Sequence, residues 1–203
     1  MQTPCQMHSI DSGARSHRKA YAPPETAQEM DDRKDDFIDY VCKGHYFDLD
    51  MLDFGTCRLH TLWNALTDDE KILQYSIRAF LNSPIQISST LENLTDFELS
   101  VYCNEEIIGI NQDCGFNTSR PVIRIKEENR YLDILEKQLS DGTFAYAIFN
   151  FGNTEEKIEI NADNSQVRDL WAKEDIITKD KISFTSYPHT ARILKSTLKA
   201  TFN

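Results

Sequence analysis

The spacing of hydrophobic and polar residues changes near residue 120 of this chain. Before that point, apolar residues recur three or four positions apart, which is the spacing of an amphipathic helix. The strongest such run follows Thr67-Asp-Asp-Glu70, whose Thr and Glu fit a capping box at the start of a helix. The apolar positions of this run are Ile72, Leu73, Ile77, Phe80 and Leu81. Asn82-Ser-Pro84 is predicted to end the helix.

Further segments of the first half alternate between predicted strands and predicted helices. His45–Leu52 and Ile85–Ser88 are predicted as strands, whereas Thr95-Asp-Phe-Glu98 is a second capping box. Asn104 is suited to cap a short helix over Glu105–Ile110. This alternation is typical of βα units, in which helices cover the faces of a parallel sheet.

Short runs of strand-forming residues dominate the second half. Turn signals such as Ser140-Asp-Gly142 and Gly152-Asn153 separate these runs. Seven or eight short strands at this spacing predict an antiparallel β-sandwich. The predicted strand regions are Val122–Lys126, Tyr131–Leu139, Phe144–Phe149, Lys157–Ile160, Val167–Trp171, Ile182–Thr185 and Ala191–Lys195.

Charge and cysteine content narrow the possible functions. The 203 residues carry a formal net charge of −11, which disfavours nucleic acid and anionic membranes as partners and leaves a neutral sugar compatible. The five cysteines are odd in number and show no CxxC spacing, which disfavours a zinc site or a disulfide framework. Cys103 and Cys114 are expected to be small buried hydrophobic residues. Residues Met1–Cys5 have neither the basic nor the apolar region of a signal peptide.

Two carboxylates, Asp48 and Asp50, are the first candidates for chemistry. On an extended segment, residues two apart point to the same side, so both carboxylates would face one cavity at the end of a strand. Carboxylates in such a place can accept charge-assisted hydrogen bonds from sugar hydroxyls. The alternative is a solvated acidic turn, which is common on protein surfaces.

The segment Tyr46-Phe-Asp-Leu-Asp-Met-Leu52 resembles a motif of the α-galactosidases of glycoside hydrolase family 27, which reads approximately Trp-Asn-Asp-Pro-Asp-Met-Leu. Later blocks follow in the family's order, and Asn111-Gln-Asp113 resembles its Ile-Asn-Gln-Asp signature between barrel and sandwich. In the family, the second Asp and the Met line the sugar pocket. The resemblance, which spans about 45–195, therefore implies that Asp50 and Met51 bind sugar, with Asp48 close by. Asn111-Gln-Asp113 is interpreted as a structural element of the junction.

The same resemblance implies a catalytic role for Asp11. In the family, an Asp at the end of the preceding barrel strand is the general acid/base, and an Arg four residues earlier contacts the same sugar. Here Met7 stands at the position of that Arg, so Arg15 or Arg18 would have to reach in from the loop. The alternative is that Asp11 is only a loop residue beside Ser12-Gly13.

The expected fold is α/β plus all-β, with the last βα units of a (β/α)₈ barrel followed by an antiparallel β-sandwich. We expect residues 1–114 to form the barrel part, 115–121 a linker and 122–203 the sandwich. A whole barrel typically takes ~250 residues. The family's nucleophile lies in a Lys-Tyr-Asp motif, which this chain does not contain. The chain is therefore expected to be a C-terminal portion that does not hydrolyse α-galactosides by itself.

Several questions stay open at the level of sequence. A non-catalytic carbohydrate-binding or structural module is the alternative function, and a homo-oligomer is compatible with the sequence. The resemblance implies no cofactor, and no histidine pair stands at metal-ligand spacing. His189 is expected to be packed or capped rather than catalytic. Trp171 is expected in the core, with sugar stacking as the alternative.

Overall fold

The computed structural model describes residues 8–11, 41–42, 44–49, 51–54, 66–162, 165–176 and 181–202, and for 8–11 it describes the backbone only. Strand β1 (His8–Asp11) and strand β2 (His45–Asp48) form a parallel pair, in which Asp11 lies opposite Asp48. A parallel bridge joins Leu52 to Ile87. This bridge is all that forms of the strand predicted over Ile85–Ser88.

Three α-helices lie between residues 66 and 112 of the described chain. They are α1 (Asp68–Phe80), α2 (Asp96–Tyr102) and α3 (Glu105–Asn111), and a 3₁₀ turn spans Leu91–Asn93. Both predicted capping boxes are confirmed, since Thr67 and Thr95 each accept from the third helical amide while the Glu side chain returns to the cap. The Asn104 side chain accepts from the Glu106 and Ile107 amides, as predicted.

Antiparallel strands make up the second half of the described chain. A six-stranded sheet has the order β3-β4-β5-β10-β7-β8, and a three-stranded sheet has the order β11-β6-β9. The strands are β3 (Arg120–Lys126), β4 (Tyr131–Gln138), β5 (Phe144–Asn150), β6 (Glu156–Asn161), β7 (Val167–Asp169), β8 (Glu174–Ile176), β9 (Lys181–Ser186), β10 (Thr190–Ser196) and β11 (Thr201–Phe202).

The sequence predicted most of these strands but missed two. All seven predicted regions contain a strand, although β7 ends at Asp169 and leaves Trp171 in a turn. Strands β8 and β11 are only three and two residues long, which is too short to show an alternating pattern. The prediction for Cys103 and Cys114 was wrong, because both are exposed: Cys103 caps the end of α2, and Cys114 lies in the turn after α3.

The six-stranded sheet is covered on both faces, so the fold has three layers. Ala145, Ala147 and Phe149 of β5 pack with the helices and with the segment after β2. Tyr146 and Ile148 of the same strand pack with the three-stranded sheet. The central sheet therefore belongs to two hydrophobic cores at once. None of the helices in the described ranges is long and apolar enough to cross a membrane.

A buried lysine on β4 joins the helical layer to the central sheet. The ammonium of Lys137, which is 1% exposed, donates to the carbonyl oxygens of Phe80 (3.2 Å) and Ile110 (3.1 Å) and to Asn82 Oδ1 (2.5 Å). These carbonyls lie in the last turns of α1 and α3, where backbone acceptors lack a helical partner and the dipole favours a cation. Burial lowers the pKa of Lys137 to about 7, against the opposing effect of the negative charge on Asp113.

We predict that Lys137 makes the stability of the protein depend on pH. Its pKa is about 7 in the folded chain and roughly 10.4 in an unfolded chain. Between these values the unfolded state binds more protons, so this group makes the free energy of unfolding rise with pH, by at most about 1.4 kcal/mol per unit. Urea denaturation from pH 7 to 10 measures this slope. The free energy of unfolding of the wild type should increase with pH relative to that of Lys137→Met.

The control for this experiment is Lys157→Met, which removes a lysine whose side chain is 74% exposed. It separates the specific slope from the general effect of losing one positive charge. If the free energies of unfolding of wild type and Lys137→Met differ by a constant amount across this pH range, the prediction is contradicted.

Candidate active site

The structure describes only part of the predicted site. Asp48 ends β2 and is half-buried, and Met51 is half-buried in the segment that follows. The parallel register brings Asp11 opposite Asp48. The side chain of Asp11 and all of Asp50, Arg15 and Arg18 lie outside the described residues. Their predicted roles therefore remain predictions.

The backbone after β2 is held by hydrogen bonds to the chain that follows α1. The Leu49 amide donates to Ser83 Oγ (3.0 Å), and the Leu52 amide donates to the Gln86 carbonyl (2.7 Å). The Ser88 amide donates in turn to the Leu52 carbonyl (2.9 Å). Leu49 and Leu52, which flank two of the predicted sugar-binding positions, are thus held by residues 83–88.

A buried arginine contacts the same segment from α1. Arg78 is 0% exposed, and its Nη2 donates to the carbonyl oxygens of Leu49 (3.2 Å) and Met51 (3.3 Å). Its Nη1 donates to the carbonyl and to the side-chain oxygen of Gln74. A guanidinium presents several donors in a fixed plane, which suits it to bridge separate acceptors in this way.

An aromatic pair packs at the C-terminal end of the segment after β2. Phe54 stacks on Tyr102 with 4.5 Å between ring centroids, and the Tyr102 hydroxyl lies 3.1 Å from Ser89 Oγ. Ser89 Oγ also donates to Asp53 Oδ1 at 3.3 Å. Burial raises the pKa of Tyr102 to about 12, helped by Asp53 and Glu98 and opposed by Ser89 and Arg78. Tyr102 is therefore a neutral hydroxyl near pH 7.

Sequence reasoning missed Arg78, Asp53 and Ser89. Arg78 had a visible signal, because a charged residue interrupts the apolar run between Ile77 and Ala79. Asp53 continues the acidic series of Asp48 and Asp50 and is 2% exposed. Ser89 carried no such signal, since a serine after a short strand is common in loops.

Asn111 and Asp113 bond to backbone at the junction, as their structural interpretation expects. Asn111 Nδ2 donates to the Ser83 carbonyl at 2.9 Å, and Asp113 accepts from the Ser140 amide at 3.0 and 3.1 Å. The first bond supports the residue that holds Leu49. The second connects the end of α3 to the β4–β5 turn.

Trp171 and His189 make structural contacts. The indole of Trp171 donates to Ser76 Oγ at 2.9 Å and packs edge-on against Tyr75. Trp171 is half-buried and packs against the edge of the hydrophobic core instead of lying within it. His189 Nε2 lies 3.1 Å from Asn153 Oδ1 in a loop of the sandwich. Within the described ranges, no group of three or more His, Cys, Asp or Glu residues could hold a metal ion.

A separate cleft of about 410 Å³ lies between α3 and the central sheet. Four of its five charged side chains are already paired with one another, Arg168 with Glu106 (2.6 Å) and Lys195 with Asp141 (2.8 Å). These pairs leave the segment after β2 as the stronger candidate site.

Comparison with known proteins relates the chain to enzymes that act on sugars. The model of the alpha galactosidase C-terminal beta sandwich domain matches residues 129–196. The chain is 28% identical over 151 residues to the α-galactosidase of Lachancea cidri, covering 66% of this chain and 30% of that protein. It is 29% identical over 112 residues to α-galactosidase A of Cellvibrio japonicus, covering 55% of this chain and 24% of that protein. The chain thus spans about a quarter to a third of these curated relatives.

Solved structures share the fold. A family 27 β-L-arabinopyranosidase from Geobacillus stearothermophilus superposes with a TM-score of 0.74 at 23% identity, covering 88% of this chain and 43% of that one. The α-galactosidase I of Mortierella vinacea gives a TM-score of 0.70 at 21% identity, covering 86% of this chain and 45% of that one. At these identities the likeness concerns the fold alone.

We predict that Ser83→Ala destabilises the protein through the Leu49 amide. The substitution removes the acceptor of a buried donor, which costs about 1–3 kcal/mol. Urea denaturation measures the loss, and hydrogen exchange should show the Leu49 amide among the most affected. The matched control is Ser100→Ala, because Ser100 is exposed on α2 and its change should stay within about 0.5 kcal/mol. Equal effects of the two variants would argue against the prediction.

Proposed function

From the confirmed resemblance to the C-terminal portion of the family 27 α-galactosidases, we propose that this chain is part of a retaining glycoside hydrolase that removes terminal α-D-galactosyl residues. The observation that carries the proposal is the register of β1 and β2, which aligns Asp11 with Asp48 at the ends of parallel strands. Active sites of (β/α)₈ barrels lie at the C-terminal ends of their strands. Neighbouring strands are ~4.8 Å apart, a separation that lets groups at matching ends face one sugar ring.

The proposed mechanism is double displacement. One carboxylate attacks the anomeric carbon, while Asp11 protonates the departing oxygen and then takes a proton from the water that hydrolyses the glycosyl-enzyme. Asp48 and Asp50 accept hydrogen bonds from sugar hydroxyls, Met51 supplies an apolar wall, and Arg15 contacts the same sugar. The nucleophile comes from a segment other than these, because this chain contains no Lys-Tyr-Asp motif.

The architecture that accompanies this function divides the chain at the junction. Residues 1–114 are the last βα units of a catalytic (β/α)₈ barrel, 115–121 are a linker, and 122–203 are the β-sandwich. The change from helices, the last of which ends at Asn111, to strands, the first of which begins at Arg120, supports this division. The substrate is an α-galactoside or a related oligosaccharide.

A chimera tests the proposal directly. The part of the Cellvibrio japonicus enzyme that precedes its equivalent of residue 1 would be fused to residues 1–203. We expect the chimera to hydrolyse an aryl α-D-galactoside with retention of anomeric configuration, because it combines the nucleophilic carboxylate of the added part with Asp11. Absorbance measures the released aryl alcohol, and NMR determines the configuration of the released sugar.

The isolated chain, which should show no turnover, is the control for the chimera. Circular dichroism and a cooperative unfolding transition establish that the chimera is folded. A folded chimera without activity would contradict the proposal and favour a non-catalytic carbohydrate-binding or structural module.

In the active chimera, Asp11→Asn and Asp50→Ala should fail in different ways. A general acid matters most when the departing oxygen is basic, so Asp11→Asn should lower turnover of an alkyl α-galactoside by about 10²–10⁴-fold and spare a dinitrophenyl galactoside. Asp50→Ala should mainly raise KM, since it removes a sugar contact. Steady-state kinetics on both substrates distinguishes the two. The assignment of Asp11 is wrong if Asp11→Asn leaves both substrates unaffected.

A further inference from the structure

Arg78 is a charged residue in a buried position of the fold. It lies on α1 among buried neighbours, with Tyr75, Ile77 and Phe80 each 1% exposed or less. Removing a guanidinium from water is expensive, and only well-formed hydrogen bonds offset the cost. Hydrogen bonds from Arg78 lead both to its own helix and to the segment after β2.

The bonds to its own helix fix the orientation of the guanidinium. Nη1 lies 3.1 Å from the Gln74 carbonyl oxygen and 2.8 Å from Gln74 Oε1, and the Gln74 side chain is itself buried. One turn of α1 therefore holds the Nη1 edge of the guanidinium group. The Nη2 edge is directed at the segment after β2.

The bonds to that segment bracket a single position. Nη2 donates to the carbonyls of Leu49 and Met51, the two residues on either side of position 50. The amide of Leu49 is held separately by Ser83 Oγ. Ser83 is in turn anchored by its own amide, which donates to the Arg78 carbonyl at 3.0 Å. Leu49 is thus held at both its N–H and its C=O by groups that belong to α1 and its C-terminal extension.

We propose that Arg78 is a positioning residue for the sugar-binding segment: it fixes the carbonyl groups of Leu49 and Met51 and so sets the affinity for sugar without touching the sugar. This inference rests on the proposed function for its consequence, although its structural half does not need a sugar. A lysine would keep the charge but lose the planar set of donors that binds Gln74 and the two carbonyls together.

The structural half is tested on the 203-residue chain by amide hydrogen exchange of Arg78→Lys, with Arg78→Met as a second variant. In Arg78→Lys, we expect exchange of the Leu49 and Leu52 amides to accelerate by about ten-fold or more, as for the loss of a hydrogen bond from a charged donor. Amides of the sandwich core, such as Ile148, should change by less than about two-fold, since distant sites respond independently.

The matched control is Arg192→Lys, which alters an arginine of β10 whose Nε donates to Asp169 Oδ2 at 2.6 Å. It should leave the Leu49 and Leu52 amides unchanged. Unchanged exchange of these two amides in Arg78→Lys would overturn the proposal. Acceleration spread evenly over the sandwich would overturn it as well, because Arg78 would then be a general stabilising residue. Arg78→Lys remains decisive if Arg78→Met does not fold.

The functional half uses the α-galactosidase chimera. We expect Arg78→Lys to raise KM for an aryl α-galactoside by about ten-fold while kcat changes by less than about three-fold, since only ground-state positioning is disturbed. Wild-type KM together with faster Leu49 exchange would overturn the link to affinity. An inactive wild-type chimera would count against the proposed function alone, because the exchange experiment decides the structural half independently.

Discussion

The ammonium of Lys137 is the contact on which the arrangement of the layers depends. Helices end with carbonyl groups that have no helical partner, and burying such groups unpaired is costly. Lys137 brings its side-chain nitrogen from β4 to the ends of α1 and α3 at the same time. One side chain of the sheet thereby contacts the ends of two helices.

The effect of this contact extends to the candidate site through α1. Lys137 holds Asn82, and the next residue, Ser83, accepts the Leu49 amide. Asn111 supports the Ser83 carbonyl from α3. The sandwich is therefore connected to the segment after β2 by a short series of contacts through Lys137, Asn82, Ser83 and Asn111. Such a series shows how contacts from the sandwich side can define the geometry of a segment in the helical layer.

Local signals in the sequence predicted the elements well, whereas the polar contacts between them were not predictable. Thr67 and Thr95 mark helix starts because capping involves residues only three apart. The alternating strands were visible for a similar reason. Arg78 and Lys137 look like surface residues by type, and only the fold brings distant carbonyls to them. The resemblance indicated Asp48 and Met51, whose roles stay predictions, but could not indicate what holds the segment in which they lie.

The position of Asn82 illustrates how closely backbone and side chain are matched at this junction. Its φ of 57° lies in the left-handed region, where glycine is usually the easiest residue to accommodate. A glycine would relieve the backbone yet remove the amide oxygen that receives the Lys137 ammonium. Asparagine is among the few other residues that tolerate this conformation, and its side chain supplies the acceptor. The residue type that suits this helix end thus depends on Lys137, which lies on a strand more than fifty positions further along the chain.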